Sequence, residues 1–263
     1  MSLALGVAVM LLSFGGGAVS GLLGISGAVV MVPVLLYVPP WLGLGQLSVK
    51  SVAAIAIVQG LFASSSGVVA HRSHGYVNGS IAIIGGMFVA IGALTGGILS
   101  RWAPDVLLLT VFALAATLGF VLMVVSGDGV PVPETGFEFR RPWRLGVFFP
   151  EGLMAGMVGV GGGFLITPVL HRIFGVPLRV AIASALAMSW FGAMAGSLGK
   201  VATGQVPLLL SVVVVVGAIP GAQLGALVNG RLSRRFLRYL YAVLLVLIAL
   251  SMWWEVLRSI GVV

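Results

Sequence analysis

The sequence predicts an all-α polytopic membrane protein made of two inverted repeats of four elements each. Each repeat opens with a broken, re-entrant, glycine-rich helix pair. Three observations lead there: the scarcity of charge, the spacing of the charges present, and a glycine pattern that occurs twice. Of 263 residues 60% are apolar and 8% charged, with 14 basic and 6 acidic side chains. Soluble globular chains carry roughly 25% charged residues, so a water-soluble enzyme of this size is excluded. A mean hydropathy of +1.20 excludes disorder as well. A net charge of +8 would suggest nucleic acid in a soluble chain. In so apolar a chain it reads as the cytoplasmic enrichment of Lys and Arg beside anionic lipid. The lipid bilayer is therefore an expected partner and nucleic acid is not. There is no cysteine, hence no disulfide or thiolate site. No cofactor or metal is expected, and the Met-Ser-Leu start has no positive region of a cleaved signal peptide.

The elements follow in order from the charges. The first 49 residues carry none, and as one helix they would reach about 73 Å, far beyond a bilayer. The stretch from Phe14 to Gly27 holds six glycines, which weaken a helix and permit sharp turns. Two helical pieces joined by irregular backbone are expected, a form tolerated at membrane depth only inside protein or a wet cavity. Uncharged runs then fill Lys50 to His71, Gly75–Ser100 and Val106–Gly127. After a polar linker come Leu145–Leu170, Val180–Gly199, Val201–Gly230 and Tyr239–Trp254. Each is near the ~20 residues of a membrane-spanning helix.

The two halves repeat. Ser20–Leu35 matches Ala155–Leu170 at an offset of 135, setting Gly21, Gly24, Gly27 and Pro33 on Gly156, Gly159, Gly162 and Pro168. The following helices match at an offset of 129, setting Lys50 on Arg179, Gly67 on Gly196 and His71 on Lys200. The organisation is one membrane domain: residues 1–126 the first half, 127–144 a cytoplasmic linker, 145–263 the second half.

Charge selects the topology. If every element crosses, the basic residues divide 6 to 8, which selects neither side. If the first element of each half folds back, Lys50, Arg101, Lys200 and Arg258 share one side. Arg72, Arg140, Arg141, Arg144, Arg172, Arg179, Arg231, Arg234, Arg235 and Arg238 then share the other. This 4-to-10 division obeys the positive-inside rule. It predicts six full crossings plus two V-shaped elements, with the linker inside the cell and both termini outside.

The duplicated Gly-x-x-Gly-x-Gly-Gly-Gly-x-x-x-x-Pro-x-Leu pattern, clearest at Gly156–Leu170, resembles the TauE/SafE sulfite exporter family. The likeness covers both halves and the linker. It implies transport of a small sulfur anion, sulfite or an organosulfonate, usually as export across the bacterial cytoplasmic membrane. The first copy departs at Ser26 and Ala28, where the second has Gly161 and Gly163.

The candidate site follows from the inverted halves, which bring the two glycine turns together at the midplane. Helix N-termini there offer free N–H groups and a positive dipole end, an anion site without a buried cation. This reading places Gly24, Ser26, Gly27, Gly159, Gly161, Gly162 and Gly163 around the substrate; the bland one makes them packing contacts between helices. Gln59, Thr167 and Ser189 are the in-span polar groups able to donate to it, with interhelical hydrogen bonding the bland alternative. Glu151 is the acid placed to carry a coupling proton, unless it only marks the interface. Lys50, Arg179, His71 and Lys200 stand near span ends, where they steer an anion or snorkel to headgroups.

A secondary transporter working by alternating access is thus expected, not an enzyme. The rivals are an anion channel, a scaffold subunit and an intramembrane serine protease of rhomboid type, suggested by Gly24-Ile-Ser-Gly27. No nucleotide-binding loop is present in the sequence.

Overall fold

The computed structural model describes residues 3–72, 76–125 and 146–261. Among them the regular structure is helical. The first half holds α1 (Leu3–Leu23), α2 (Ala28–Trp41), α3 (Val49–Arg72), α4 (Gly86–Leu99, entered through a π-helical turn at Ile81–Gly85) and α5 (Asp105–Val125). The second holds α6 (Phe148–Val158), α7 (Gly163–Arg172), α8 (Leu178–Ala202), α9 (Leu208–Asn229) and α10 (Arg234–Ser259).

Seven of these are long and apolar enough to cross a membrane: α1, α3, α4 with its π turn, α5, α8, α9 and α10. This is one more than the six crossings expected. The difference lies in α1, whose 21 residues suffice for a crossing by themselves, because the charge-free N-terminus is long enough for a full arm and a short return. Its counterpart α6 has 11 residues.

Specific contacts fix the helix directions. α1 and α9 run in the same sense, since Ser13 Oγ donates to the Val214 carbonyl and Asn229 Nδ2 to the Leu22 carbonyl, both at 2.6 Å. α6 and α4 pair likewise, with Gly152 against Val89 and Gly156 against Ala93. These are the most intimate helix pairs together with α4 and α8. Small residues at the seam let the backbones touch, the usual solution where lipid supplies no hydrophobic drive between helices. α3 and α8 run in opposite senses, with Gly67 on Leu186 and Gly196 on Ile57. So do α5 and α10, where Trp253 Nε1 donates to Thr117 Oγ1 at 3.1 Å and Gly119 meets Leu245.

The pairing is symmetric under exchange of the halves. α1 on α9 corresponds to α6 on α4, α3 on α9 to α8 on α4, and α2 on α10 to α7 on α5. At one end of the bundle Lys50 Nζ donates to the Arg101 carbonyl at 2.8 Å and Lys200 Nζ to Ser100 Oγ at 2.8 Å. Arg258 lines a cavity of about 420 Å³ there with Ser48 and Asp105. At the other end Arg179 donates to the Leu232 carbonyl at 3.1 Å, and Arg235 and Arg238 flank Val124. Arg140, Arg141 and Arg144 lie outside the described residues.

Candidate functional site: two crossing turns

Each half unwinds at its glycine motif and then starts a new helix. The first turn leaves α1 at Gly24, which lies against Ile182 in the second turn of α8. The second leaves α6 at Gly159, against Ala53 in the second turn of α3. Gly24 (φ +66) and Gly159 (φ +84) are both left-handed, a conformation that costs other residues roughly 1–2 kcal/mol. A Cβ on either would also strike backbone, Ile182 in one case and Ala53 in the other. Their N–H groups are satisfied alike, on the Ser20 and Ala155 carbonyls at 2.8 Å.

From these tips the chain returns toward the middle of the bundle, and the two returns meet. Ser26 Oγ fills the place a Cβ of Gly60 would take, near the middle of α3. The same hydroxyl lies 2.9 Å from where Gly161 would carry a Cβ. The corresponding point on Gly163 is 3.0 Å from the Ser26 amide nitrogen and collides with Ser189 Oγ, near the middle of α8. α2 and α7 begin here, so their N-terminal amides and positive dipole ends face the crossing.

Four polar side chains gather around it: Ser26, Gln59, Ser189 and Glu151, the first three fully buried and Glu151 only 5% exposed. Ser26 Oγ, Ser189 Oγ, Gln59 Oε1 and both oxygens of Glu151 have no hydrogen-bond partner. Gln59 Nε2 reaches the Ser13 carbonyl at 3.4 Å. Thr167 is spent on its own helix, donating to the Gly163 carbonyl at 3.2 Å. The turns are closely packed: the void that Glu151 lines with Phe112 and Phe164 measures about 10 Å³, room for about one water.

The expected steering residues stand at helix ends, away from the crossing. Lys50 is held by the Arg101 carbonyl, and Arg179 by Tyr76 OH at 3.3 Å and the Leu232 carbonyl. Lys200 is fully buried, donating to Ser100 Oγ and to the Met157 carbonyl at 3.2 Å. There it ties the last turn of α6 to α4 and α8. The side chain of His71 lies outside the described residues. His171 Nδ1 donates to the Val176 carbonyl at 2.9 Å, and Ser26 forms no serine–histidine pair among the described residues.

A family model, Sulfite exporter TauE/SafE, matches residues 9–252. The chain belongs to this family. Among similar proteins, the probable membrane transporter protein YunE of Bacillus subtilis is 24% identical over 91% of this chain and 94% of its own. A probable membrane transporter protein of Xylella fastidiosa is 28% identical over 91% of both chains. No solved structure matches. The protein is thus a multi-pass membrane transporter of the TauE/SafE family.

Two features of the site are not read from the TauE/SafE motif. Tyr241 donates from α10 to the Phe164 carbonyl at 2.9 Å and the Gly163 carbonyl at 3.3 Å, bracing the first turn of α7. Nothing in its local sequence sets it apart from the other aromatics of α10. Gly60 accommodates Ser26, and here a signal exists, because Gly60 and Ser189 are repeat mates at the offset of 129.

Proposed function

We propose that the chain is a secondary carrier of a small sulfur-containing anion, sulfite or an organosulfonate, exported across the cytoplasmic membrane by alternating access. The observation that carries this is the cluster of orphaned polar atoms on Ser26, Gln59, Glu151 and Ser189 where the two turns cross. More than about 90% of buried polar groups in folded proteins are paired, and each orphan costs roughly 1–3 kcal/mol. An oxyanion accepting from the two hydroxyls and from the amides that open α2 and α7 offsets that cost at Ser26 and Ser189. Gly161, Gly162 and Gly163 let it approach the backbone, and Gly24, Gly27 and Gly159 shape the turns.

The halves, residues 1–126 and 145–263, are read as inverted repeats joined by the cytoplasmic linker 127–144. The opposed directions of α3 and α8 and of α5 and α10 support this. One half rocks against the other, opening the crossing to each side in turn. The packed crossing is the occluded state of that cycle. The end bearing Arg172, Arg179, Arg231, Arg235 and Arg238 faces the cytoplasm, and both termini lie outside.

The test is counterflow in proteoliposomes. Radiolabelled sulfite or ethanesulfonate is expected to exchange against unlabelled anion with a rate that saturates. Flux proportional to concentration at all levels marks a channel. No exchange of sulfite, thiosulfate, sulfonates or sulfate overturns the reading.

A further inference from the structure

The two glycine turns are backed by polar groups of the same shape but different chemistry. Behind the first, the Gln59 carboxamide lies 2.7 Å (Nε2) and 2.9 Å (Oε1) from where Gly27 would carry a Cβ. Behind the second, the Glu151 carboxyl lies 2.7 Å (Oε1) and 3.0 Å (Oε2) from the same point on Gly162. Gly27 and Gly162 are repeat mates, yet Gln59 and Glu151 are not. The mate of Glu151 is Gly16, and the mate of Gln59 is Met188. The carboxamide comes from α3, and its Nε2 lies 3.3 Å from the position of a Cβ on Gly16. The carboxyl comes from α6. One planar three-atom group therefore stands behind each turn, and only one of the two can take up and release a proton.

From this juxtaposition we infer that Glu151 is the proton-carrying group of the transport cycle, bound to its proton whenever the anion occupies the crossing, so that proton and anion move together and net export runs only while the outward anion gradient exceeds any inward proton gradient. The inference rests on the anion-carrier reading above. Both Glu151 oxygens are buried without a partner beside Phe112 and Phe164. An ionised carboxylate so placed is strongly disfavoured by desolvation. The neutral acid is the isostere of the amide behind the other turn. Glu151 adjoins Gly162, and Gly163 is where Ser26 and Ser189 converge. A negative charge there repels an anion; a neutral acid admits it. When the crossing opens to water the proton leaves as hydronium, the carboxylate expels the anion, and both are released on one side. No other group is oxidised, reduced or transferred.

Few charges compete for this role. α4 has no ionisable residue between Gly86 and Leu99. Tyr241 of α10 is the titratable side chain facing Glu151, and its hydroxyl is engaged by the α7 carbonyls. The other charged residues on the elements around α6 sit at helix ends: Lys50, His71 and Arg72 on α3, Asp105 on α5, His171 and Arg172 on α7, and Arg179 and Lys200 on α8.

The experiment uses proteoliposomes and ethanesulfonate, a strong-acid anion whose charge does not change with pH. In wild type, acidifying one side is expected to drive the anion from that side to accumulation several-fold above equilibrium. Glu151→Gln is expected to abolish pH-driven accumulation, while exchange at equal pH stays above that of empty liposomes. Accumulation by Glu151→Gln equal to wild type overturns the inference, as does wild-type flux indifferent to the gradient or driven toward the acid side. Failure of wild-type exchange sinks the anion-carrier reading itself, and this inference with it. Should Glu151→Gln not fold, wild type is treated with dicyclohexylcarbodiimide, which modifies protonated carboxyls in apolar surroundings. Modification at Glu151 by mass spectrometry, with loss of pH-driven flux, is expected. Flux undiminished by complete modification there, or an unmodified Glu151, refutes the proposal.

Discussion

The two turns begin alike and end differently. Gly24 and Gly159 share a left-handed backbone and the same hydrogen bond to the preceding helix. Beyond them the first turn continues through Ser26 and Gly27, with ordinary φ (−56° at Gly27), whereas Gly161 and Gly162 remain left-handed at +69° and +93°. The polar groups are interchanged accordingly. In the first half the hydroxyl sits on the turn, at Ser26, and the facing helix position is Gly60. In the second the helix supplies Ser189, the mate of Gly60, and the turn has Gly161. The planar group switches the other way, from the helix (Gln59) to the arm before the turn (Glu151). The crossing thus has one hydroxyl and one planar group from each half, delivered by opposite elements. Backbone shape is duplicated only at the tips; in the middle it is the chemistry that is balanced, and the halves differ in one titratable proton.

That comparison breaks most visibly at the tips. Gly24→Ala and Gly159→Ala are each expected to destabilise the protein by about 2–5 kcal/mol, adding left-handed strain to collision with backbone. Gly43→Ala is the control. Gly43 has φ +68 with nothing near its missing Cβ, so only the strain of about 1–2 kcal/mol is expected. Thermal unfolding in detergent measures all three, and equal losses at Gly24 and Gly43 refute the tip packing. Next in size are the hydroxyls. Ser26→Ala and Ser189→Ala each remove a buried orphan, so the empty protein is expected to be as stable as wild type or up to about 1–3 kcal/mol more stable. Anion affinity is expected to fall about 10–150-fold, the worth of one hydrogen bond to a charged group. A loss of stability without a loss of affinity makes the serines structural. Smallest is Asn229→Ala, which frees the Leu22 carbonyl at the end of α1. It is expected to cost about 1 kcal/mol of stability and to leave affinity unchanged, since its hydrogen bond goes to the end of α1 and not to the hydroxyls at the crossing.

Much of this was legible in the residues. The duplicated glycines located both turns, because a left-handed tip against a neighbouring backbone leaves little choice but glycine. The charge division matched the ends at which Lys50, Arg101, Lys200 and Arg258, or Arg179, Arg235 and Arg238, are found. Three things were not legible. The length of α1 was hidden because a charge-free run gives no mark where a helix stops. The burial of Lys200 was hidden because a lysine near a span end reads as snorkelling until its partners Ser100 and Met157, distant in sequence, are placed. The matching of Gln59 with Glu151 was hidden because it links positions that are not repeat mates, so alignment of the halves sets each against an apolar or empty counterpart. Thr167 read as a donor from its position alone, yet its hydroxyl bonds the carbonyl one turn back, as buried threonines in helices do.

We propose the orphaned hydroxyls at the crossing as the anion site. The most direct test is the thermal shift produced by sulfite and ethanesulfonate on wild type and on the Ser26→Ala/Ser189→Ala double variant. Anions are expected to raise the unfolding temperature of wild type by mass action. The double variant, at least as stable when empty, is expected to give no shift at the same concentrations. An undiminished shift in the double variant rules the hydroxyls out as the anion site.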